Sequence, residues 1–524
     1  MAAAVLVPVV LTGGDGDGSA GEAAPDGGVS AAVPTETRSA RPPDRDMQAI
    51  TVALRQLDPC KLLDVQGARS RGAPNAATIA TGPHACMMVV HPDYSPADEN
   101  VSVRVGALSD HFSRYSMAPI ELNGARAYLY QQGGSARGHC RVDIPVSFTR
   151  AIVFEHETYD KRDVCPALRR YAGAAVAKLG SPDSLTIDRD TRPFSQWDGC
   201  SFLSQVLGQE ADMYTFQPHH ADGVADPFSG CATTDKSGKA EATTPELDVR
   251  YKEAPEPSGQ AAQIAGKTVY LEQLGPLCEA TWNNGPSGVR NKWFATTLFT
   301  ITTGDCDVAA RLAEQAISLA GGKPSHADAQ PQRPLLYGPD ENDTGSLGAC
   351  VDFRVTGGNA DCEPYQEVPV PEAPDQILKA AGVNRHVQCA VFKEAVQGVF
   401  GTAFKPVTWG EHCYFVEPEH VLTIQVNVDP RNVPNDYGNR PDLYLDRQVT
   451  DIAGKPAVTY WTKRREHFDI YLSPSGDLSQ RGNLHIGIET KRGRGREADL
   501  PEVTPEQAQQ ASEVMAHVVQ KHFS

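Results

Sequence analysis

The stretch that decides the fold begins at Gly138-His139-Cys140, continues through Ala151-Ile152-Val153-Phe154-Glu155, and ends at Cys165 and the residues up to Leu179. It reads as a strand carrying one cysteine, a second strand, and a helix whose first turn carries another cysteine. Leu168, Ala172, Ala175, Val176 and Leu179 recur at helical spacing and form one apolar face. The chain writes this unit three times, and the last copy lacks both cysteines. That paired loss bears on architecture, cysteine pairing and compartment rather than on a reaction.

Working outward, the first copy opens at Leu57-Asp58-Pro59-Cys60-Lys61-Leu62-Leu63, with Asp58 as N-cap and Pro59 at the first helical position. Cys86 lies 26 residues on, Val101 to Val105 alternates as a strand, and Leu122-Asn123-Gly124-Ala125 is a tight-hairpin signal. The second copy repeats the order. Asp198-Gly199-Cys200 opens it, Cys231 follows, Leu247 to Tyr251 alternates, Ile264-Ala265-Gly266-Lys267 turns, and Cys278 precedes Cys306 and an apolar face of Leu312, Ala313, Ala316 and Ile317. The third copy has Cys389 and Cys413, the alternating Leu422 to Val428, and the turn Ile452-Ala453-Gly454-Lys455. In it Phe468 stands at the Cys140 position and Ala508 opposite Cys165, behind the capping-box sequence Thr504-Pro505-Glu506-Gln507.

Four cysteines allow three connectivities. Only the one joining third to fourth lets a copy lose that pair without stranding a thiol. The expected bridges are therefore Cys60–Cys86, Cys140–Cys165, Cys200–Cys231, Cys278–Cys306 and Cys389–Cys413. The remaining Cys350 and Cys362 are expected to close a short hairpin, with Val351 to Val355 as its first strand. The twelve cysteines include no CxxC, which argues against zinc-ribbon and thioredoxin readings and for an oxidising compartment.

The fold class expected is α+β: three tandem modules, each an antiparallel sheet covered on one face by two helices tied down by disulfides. Their limits are 46–181, 190–322 and 374–524. Residues 323–373 are a linker holding the disulfide-closed hairpin, and 1–45 are an apolar N-terminal segment followed by a disordered Gly/Ala/Asp/Pro tether. Ala2 to Leu11 suits a signal-peptide core and is too short to span a bilayer. With 66 acidic and 48 basic residues the net charge is −18, which makes the chain a poor nucleic-acid binder.

The Asp58-Pro59-Cys60-Lys61-Leu62-Leu63 opening resembles the Asp-Pro-Cys-x-Leu-Leu start of actinobacterial exported lipoproteins and secreted domains of unknown function, here in three tandem copies. The resemblance extends to a second cysteine about 25 residues on and a late cysteine before the terminal helix. It implies an envelope-located, non-catalytic domain and transfers no active site. This chain lacks the lipidated N-terminal cysteine of such proteins.

Several tempting motifs dissolve on inspection. Gly266-Lys267-Thr268 lacks the upstream glycine of a phosphate loop, which makes it a hairpin turn. Gly133-Gly134-Ser135-Ala136-Arg137 lacks the last glycine of a nucleophile elbow. His219-His220 with Asp222 and Asp226 reads as a surface loop. His139 and His467 recur beside the third cysteine position, and His84 and His412 flank the second; packing roles are expected for all four. No catalytic, cofactor-binding or metal-binding residue is expected. Lys463, Arg464, Arg465, Lys491, Arg492, Arg494 and Arg496 make the third module locally basic and could contact an anionic lipid or cell-wall surface. The function expected is that of an exported, secreted or envelope-anchored protein that binds or scaffolds an envelope partner. The alternatives are a degenerate hydrolase or metal-dependent enzyme with a site between modules, and an accessory or sensor module of a membrane complex.

Overall fold

The structure, a computed structural model, describes residues 40–89, 100–131, 138–158, 162–188, 191–218, 228–237, 244–254, 258–322, 335–354, 362–491, 494 and 501–524. The fold is α+β, with three antiparallel sheets.

The first module opens with helices α1 (Met47–Arg55), α2 (Pro59–Leu62) and α3 (Val65–Ser70). Strands β1 (Ala77–Gly82), β2 (Ala85–Val89) and β3 (Asn100–Leu108) precede helix α4 (His111–Tyr115). Then come β4 (Ala118–Leu122), β5 (Ala125–Gln131), β6 (Gly138–Pro145), β7 (Arg150–Thr158) and helix α5 (Cys165–Leu179). The second contains α6 (Gly199–Leu207), β8 (Tyr214–Pro218), β9 (Cys231–Asp235) and β10 (Glu246–Lys252). It continues with β11 (Gln260–Ile264), β12 (Lys267–Leu274), β13 (Leu277–Pro286), β14 (Thr296–Thr303) and α7 (Cys306–Ala320). The third has β15 (Glu363–Pro364), α8 (Pro374–Ala381), α9 (Arg385–Val399), β16 (Lys405–Trp409), β17 (His412–Val416) and β18 (Leu422–Asp429). It ends with β19 (Tyr444–Ile452), β20 (Lys455–Thr462), β21 (His467–Leu472), β22 (Asn483–Thr490) and α10 (Pro505–His522).

The sheet orders are β1-β2-β3-β7-β6-β5-β4, β11-β12-β13-β14-β10-β9-β8 and β15-β16-β17-β18-β22-β21-β20-β19. Reversing the second and setting β15 aside leaves one topology written three times. A three-strand meander comes first, then a four-strand meander whose last strand pairs with the third strand of the first. The hairpin opening the second meander turns at Asn123-Gly124, Ala265-Gly266 and Ala453-Gly454, with φ of 48° and 79°, 44° and 77°, and 53° and 80°. Positive φ at both central residues matches the twist of the flanking strands.

All six expected disulfides are present. In each copy the opening helix is tied to the second strand: Cys60 to Cys86, Cys200 to Cys231, Cys389 to Cys413. The closing helix is tied to the sixth strand by Cys140–Cys165 and Cys278–Cys306. Across the sixth and seventh strands Cys140 pairs with His156, Cys278 with Thr303, and Phe468 with Ile488. Phe468 and Ala508 both lie in the third module's core. The buried faces of α5 and α10 superpose on a constant offset, Cys165 on Ala508, Leu168 on Ala511, Ala172 on Met515 and Val176 on Val519.

Four features differ from the reading of the sequence. The helices are not a uniform two per module, since α1, α3, α4 and α8 are additional. Gly348–Asp352 forms a 3-10 helix where a strand was expected, and Glu363–Pro364 joins the third sheet against β16. Cys350 and Cys362 pin an insertion onto that sheet beside Phe353, Val407 and Val416, and residues 355–361, the turn and return strand of the expected hairpin, lie outside the described residues. Local alternation in Val351 to Phe353 lost to this packing.

Residues 335–347 are likewise no loose linker, because Tyr128, Arg126 and Arg114 of the first module bind Asp343. Nor does the tether extend to residue 45: the buried Arg45 guanidinium donates to the carbonyls of Val146, Leu335 and Leu336 and lies 3.6 Å from the Tyr337 ring centroid. The first two modules interlock as well. Gly106, with φ of 83°, sits at a bulge where a Cβ would strike the Phe228 ring, and Phe228 joins the first module's core.

Candidate binding face

Alternation along each sheet turns one set of side chains to the core and the next to the opposite face. In the third module Phe468, Ile470 and Leu472 of β21 and Leu484, Ile486 and Ile488 of β22 are core residues. His467, Asp469 and Tyr471 therefore share the opposite face with His485, Gly487 and Glu489.

These groups converge. His485 Nε2 lies 2.7 Å from Asp469 Oδ1, and His467 Nε2 lies 3.5 Å from the same oxygen. Tyr460 lies directly across from Asp469 in the strand pairing. The Tyr471 ring stacks on His485 at 4.2 Å and on Tyr437 at 3.7 Å. Burial alone would raise the Asp469 pKa, but the two imidazoles and the Tyr460 hydroxyl hold it below the usual carboxylate range. Burial, with the same carboxylate adding to it, pushes the Tyr460 and Tyr471 phenols up. A Cβ on Gly487 would come within 2.7 Å of Asp469 Oδ1, 3.0 Å of His467 Nε2 and 3.2 Å of His485 Nε2. The cluster exists because residue 487 has no side chain.

The pairings locate the same positions in the other copies. Asp469 faces Gly487 as Arg141 faces Glu155 and Glu279 faces Thr302. In the first module this face is a closed ion-pair ladder, Arg104–Glu155 at 2.7 Å and Arg141–Asp143 at 2.6 Å. Asp143 is fully buried, held low by Arg141 against the cost of burial, and the Asp343 segment packs alongside through Tyr128. In the second module burial, with Glu272 and Asp248 nearby, raises the Glu279 pKa. One scaffold thus presents three different polar faces. The network in the third joins the Asp469 carboxylate to the His485 imidazole through a hydrogen bond, with the His467 imidazole close by but not bonded to it.

The histidines singled out in sequence divide. His467 belongs to the cluster. His139 lies 3.9 Å from Glu157, and the buried His84 binds the Ser195 carbonyl at 2.9 Å. His412 is buried enough to lower its pKa, with His485 adding to the shift. Of the basic residues, Arg465 pairs with Asp446 at 2.6 Å, Lys491 with Glu489 at 2.5 Å and Arg494 with Asp352 at 2.5 Å. Lys463 and Arg464 are exposed beside the β20–β21 turn. Arg492, Arg496, the His219–Asp226 set and Gly133–Arg137 lie outside the described residues. Lys267 is a turn lysine donating to the Asn284 carbonyl. Among the described residues no group of three or more His, Cys, Asp or Glu could hold a metal, and no helix is long and apolar enough to cross a membrane.

Asp469, His485 and Gly487 escaped the reading of the sequence because the contacts join different strands. The signal available was the glycine in an otherwise apolar-alternating strand, which marks close approach.

No family model matches the chain, and no curated protein matches it. Among solved structures it is similar to the immunity protein TplEi of the T6SS from Pseudomonas aeruginosa, complexed with an "L" peptide, at 9% identity and a TM-score of 0.15, covering 56% of this chain and 94% of that one. At that score the likeness carries no argument about fold or function.

Proposed function

We propose that this is an exported, extracytoplasmic protein of the cell envelope that binds or scaffolds a partner, and that the third module's polar face, buried at Asp469 and His485 and accessible at His467 and Glu489, is its docking surface. We take the repeating unit to be a sheet packed on one face by an opening and a closing helix, both tied by disulfides in the first two copies and the opening one alone in the third. The observation that carries the docking reading is the divergence of one face on one scaffold. It is an ion-pair ladder beside the Asp343 segment in the first copy and, in the second, the single carboxyl of Glu279 pushed up by burial. In the third it is a preorganised His467–Asp469–His485–tyrosine network. Six disulfides support the oxidising location. Exposed Lys463 and Arg464 would extend the contact to anionic lipid or cell-wall polymer.

A photo-crosslinker replacing Glu489 should capture an envelope component, while one replacing Leu274 on the second module should not. Equal yields from both positions, or none from either, would sink the docking reading. A catalytic reading draws on the His485–Asp469 pair, and would require ester or amide turnover that disappears in His485→Gln.

A further inference from the structure

At the end of the third sheet, where the turn between α8 and α9 meets the ends of β17 and β18, lies a pocket of about 330 Å³. That volume is at the lower bound of small-molecule sites. Its lining includes Arg385 and Arg431 against Glu411 and Asp429, so its formal charges cancel.

Those charges are also already engaged. Arg431 Nη2 donates to Glu411 at 2.8 Å, and its backbone N–H donates to Asp429 at 2.7 Å. The second Asp429 oxygen accepts from Asn432 at 2.6 Å. Arg385 donates to the Gly410 carbonyl at 3.0 Å. An anion at Arg431 would meet a guanidinium whose charge Glu411 and Asp429 already offset, and a cation would have to displace the donors on Asp429.

What the pocket leaves open is neutral. The Asn427 carboxamide, half-exposed in the lining, makes no side-chain hydrogen bond among the described residues, so its oxygen accepts and its nitrogen donates. Gln388 spends its nitrogen on the Ala381 and Glu411 carbonyls, at 3.1 and 3.0 Å, while its buried Oε1 has no partner. Beside these polar groups the lining is apolar at Pro430 and at Val383, which is 73% exposed.

We infer that this pocket, which no partner or activity proposed above requires, binds a neutral polyhydroxylated ligand, a saccharide. Hydroxyls donate and accept at once and so match a carboxamide beside a lone acceptor. The C–H face of a sugar ring matches Val383 and Pro430. A peptide would share the neutral hydrogen bonding but calls for an extended groove or a free strand edge rather than a compact pocket.

The test uses the full chain, with saturation-transfer NMR and calorimetric titration against glucose, N-acetylglucosamine and trehalose, and with inorganic phosphate and trialanine in parallel. At least one saccharide should bind, and Asn427→Leu should weaken it by about tenfold or more, the loss of roughly one hydrogen bond to a ligand. Gln388→Met provides a second variant, and Leu443→Ser, at an exposed residue away from the lining, should leave binding unchanged. Binding of phosphate or trialanine in place of every saccharide, absence of any saccharide binding, or saccharide affinity unmoved in a folded Asn427→Leu protein would each overturn the inference. Such a failure would leave cross-linking at Glu489 untouched and so would be distinguishable from failure of the docking reading.

Discussion

Tyr115 of the first module stacks on His420 of the third, ring centroids 3.8 Å apart and planes 8° from parallel. His420 Nε2 accepts from the Arg494 guanidinium, with Nε at 3.0 Å, and lies 3.4 Å from Asp352. His111 completes the contact by bonding the Phe353 carbonyl at 3.0 Å. A ring nitrogen that accepts from a guanidinium is unprotonated, so this junction is built for neutral histidine.

That sets a pH dependence. Burial lowers the His420 pKa below 6.5, Arg494 lowers it further, and Asp352 opposes the shift only in part. Burial likewise lowers that of His111, with Arg114 and His420 adding to the effect and Asp110 opposing it. Arg354 and Glu417 also face the junction through Tyr115. Because the unfolded chain binds more protons, the stability these groups contribute is complete above about pH 6.5 and is lost as pH falls through the depressed folded values. Thermal unfolding should shift downward between pH 7.5 and 5. His420→Phe, which keeps the stack, should flatten that shift; an unchanged pH slope would refute the role of this junction.

The vacant staple should be restorable. The Cα atoms of Cys140–Cys165 and Cys278–Cys306 are 5.3 and 5.2 Å apart, and Phe468 and Ala508 hold the equivalent positions. Phe468→Cys with Ala508→Cys should oxidise spontaneously, read by intact mass as the loss of two hydrogens. Conversely, Cys140→Phe with Cys165→Ala should fold but lose stability, by up to roughly 3 kcal/mol on chain-entropy reasoning. Persistent free thiols in the first variant would break the equivalence.

Gly487→Ala should disturb the polar network without reaching the core. The new methyl group meets Asp469, His467 and His485 in a buried cluster, at a cost of roughly 1–3 kcal/mol. Chemical denaturation gives the magnitude, and the His485 imidazole resonances should move with it. A silent substitution would mean that the cluster is looser than its distances imply.

The hairpin turns offer a stabilising change. Ala265 and Ala453 hold φ of 44° and 53°, a region that asparagine tolerates better than alanine, and the first copy already uses Asn123 there. Ala265→Asn and Ala453→Asn should each add about 0.5–1 kcal/mol, measured as an increase in denaturation midpoint.

What was legible in the sequence was whatever depends on neighbours along the chain or on comparing one copy with another. Asn-Gly and Ala-Gly turns, the Asp58 and Thr504 caps, alternating strands, helical apolar faces and all six bridges belong to this class. The cysteine pairing followed from a logical constraint, because a copy lacking both members leaves no stranded thiol. The sequence alone did not place what depends on contacts between strands or between modules. Asp469, Gly487 and His485 are separated along the chain and meet only because antiparallel pairing sets β21 beside β22. Phe228 fills a bulge in another module, Arg45 anchors what read as a tether, and Tyr115 finds His420 across two modules. Local propensity carries no information about such partners. Burial of polar groups that must be satisfied somewhere selects them, and only the tertiary structure decides where.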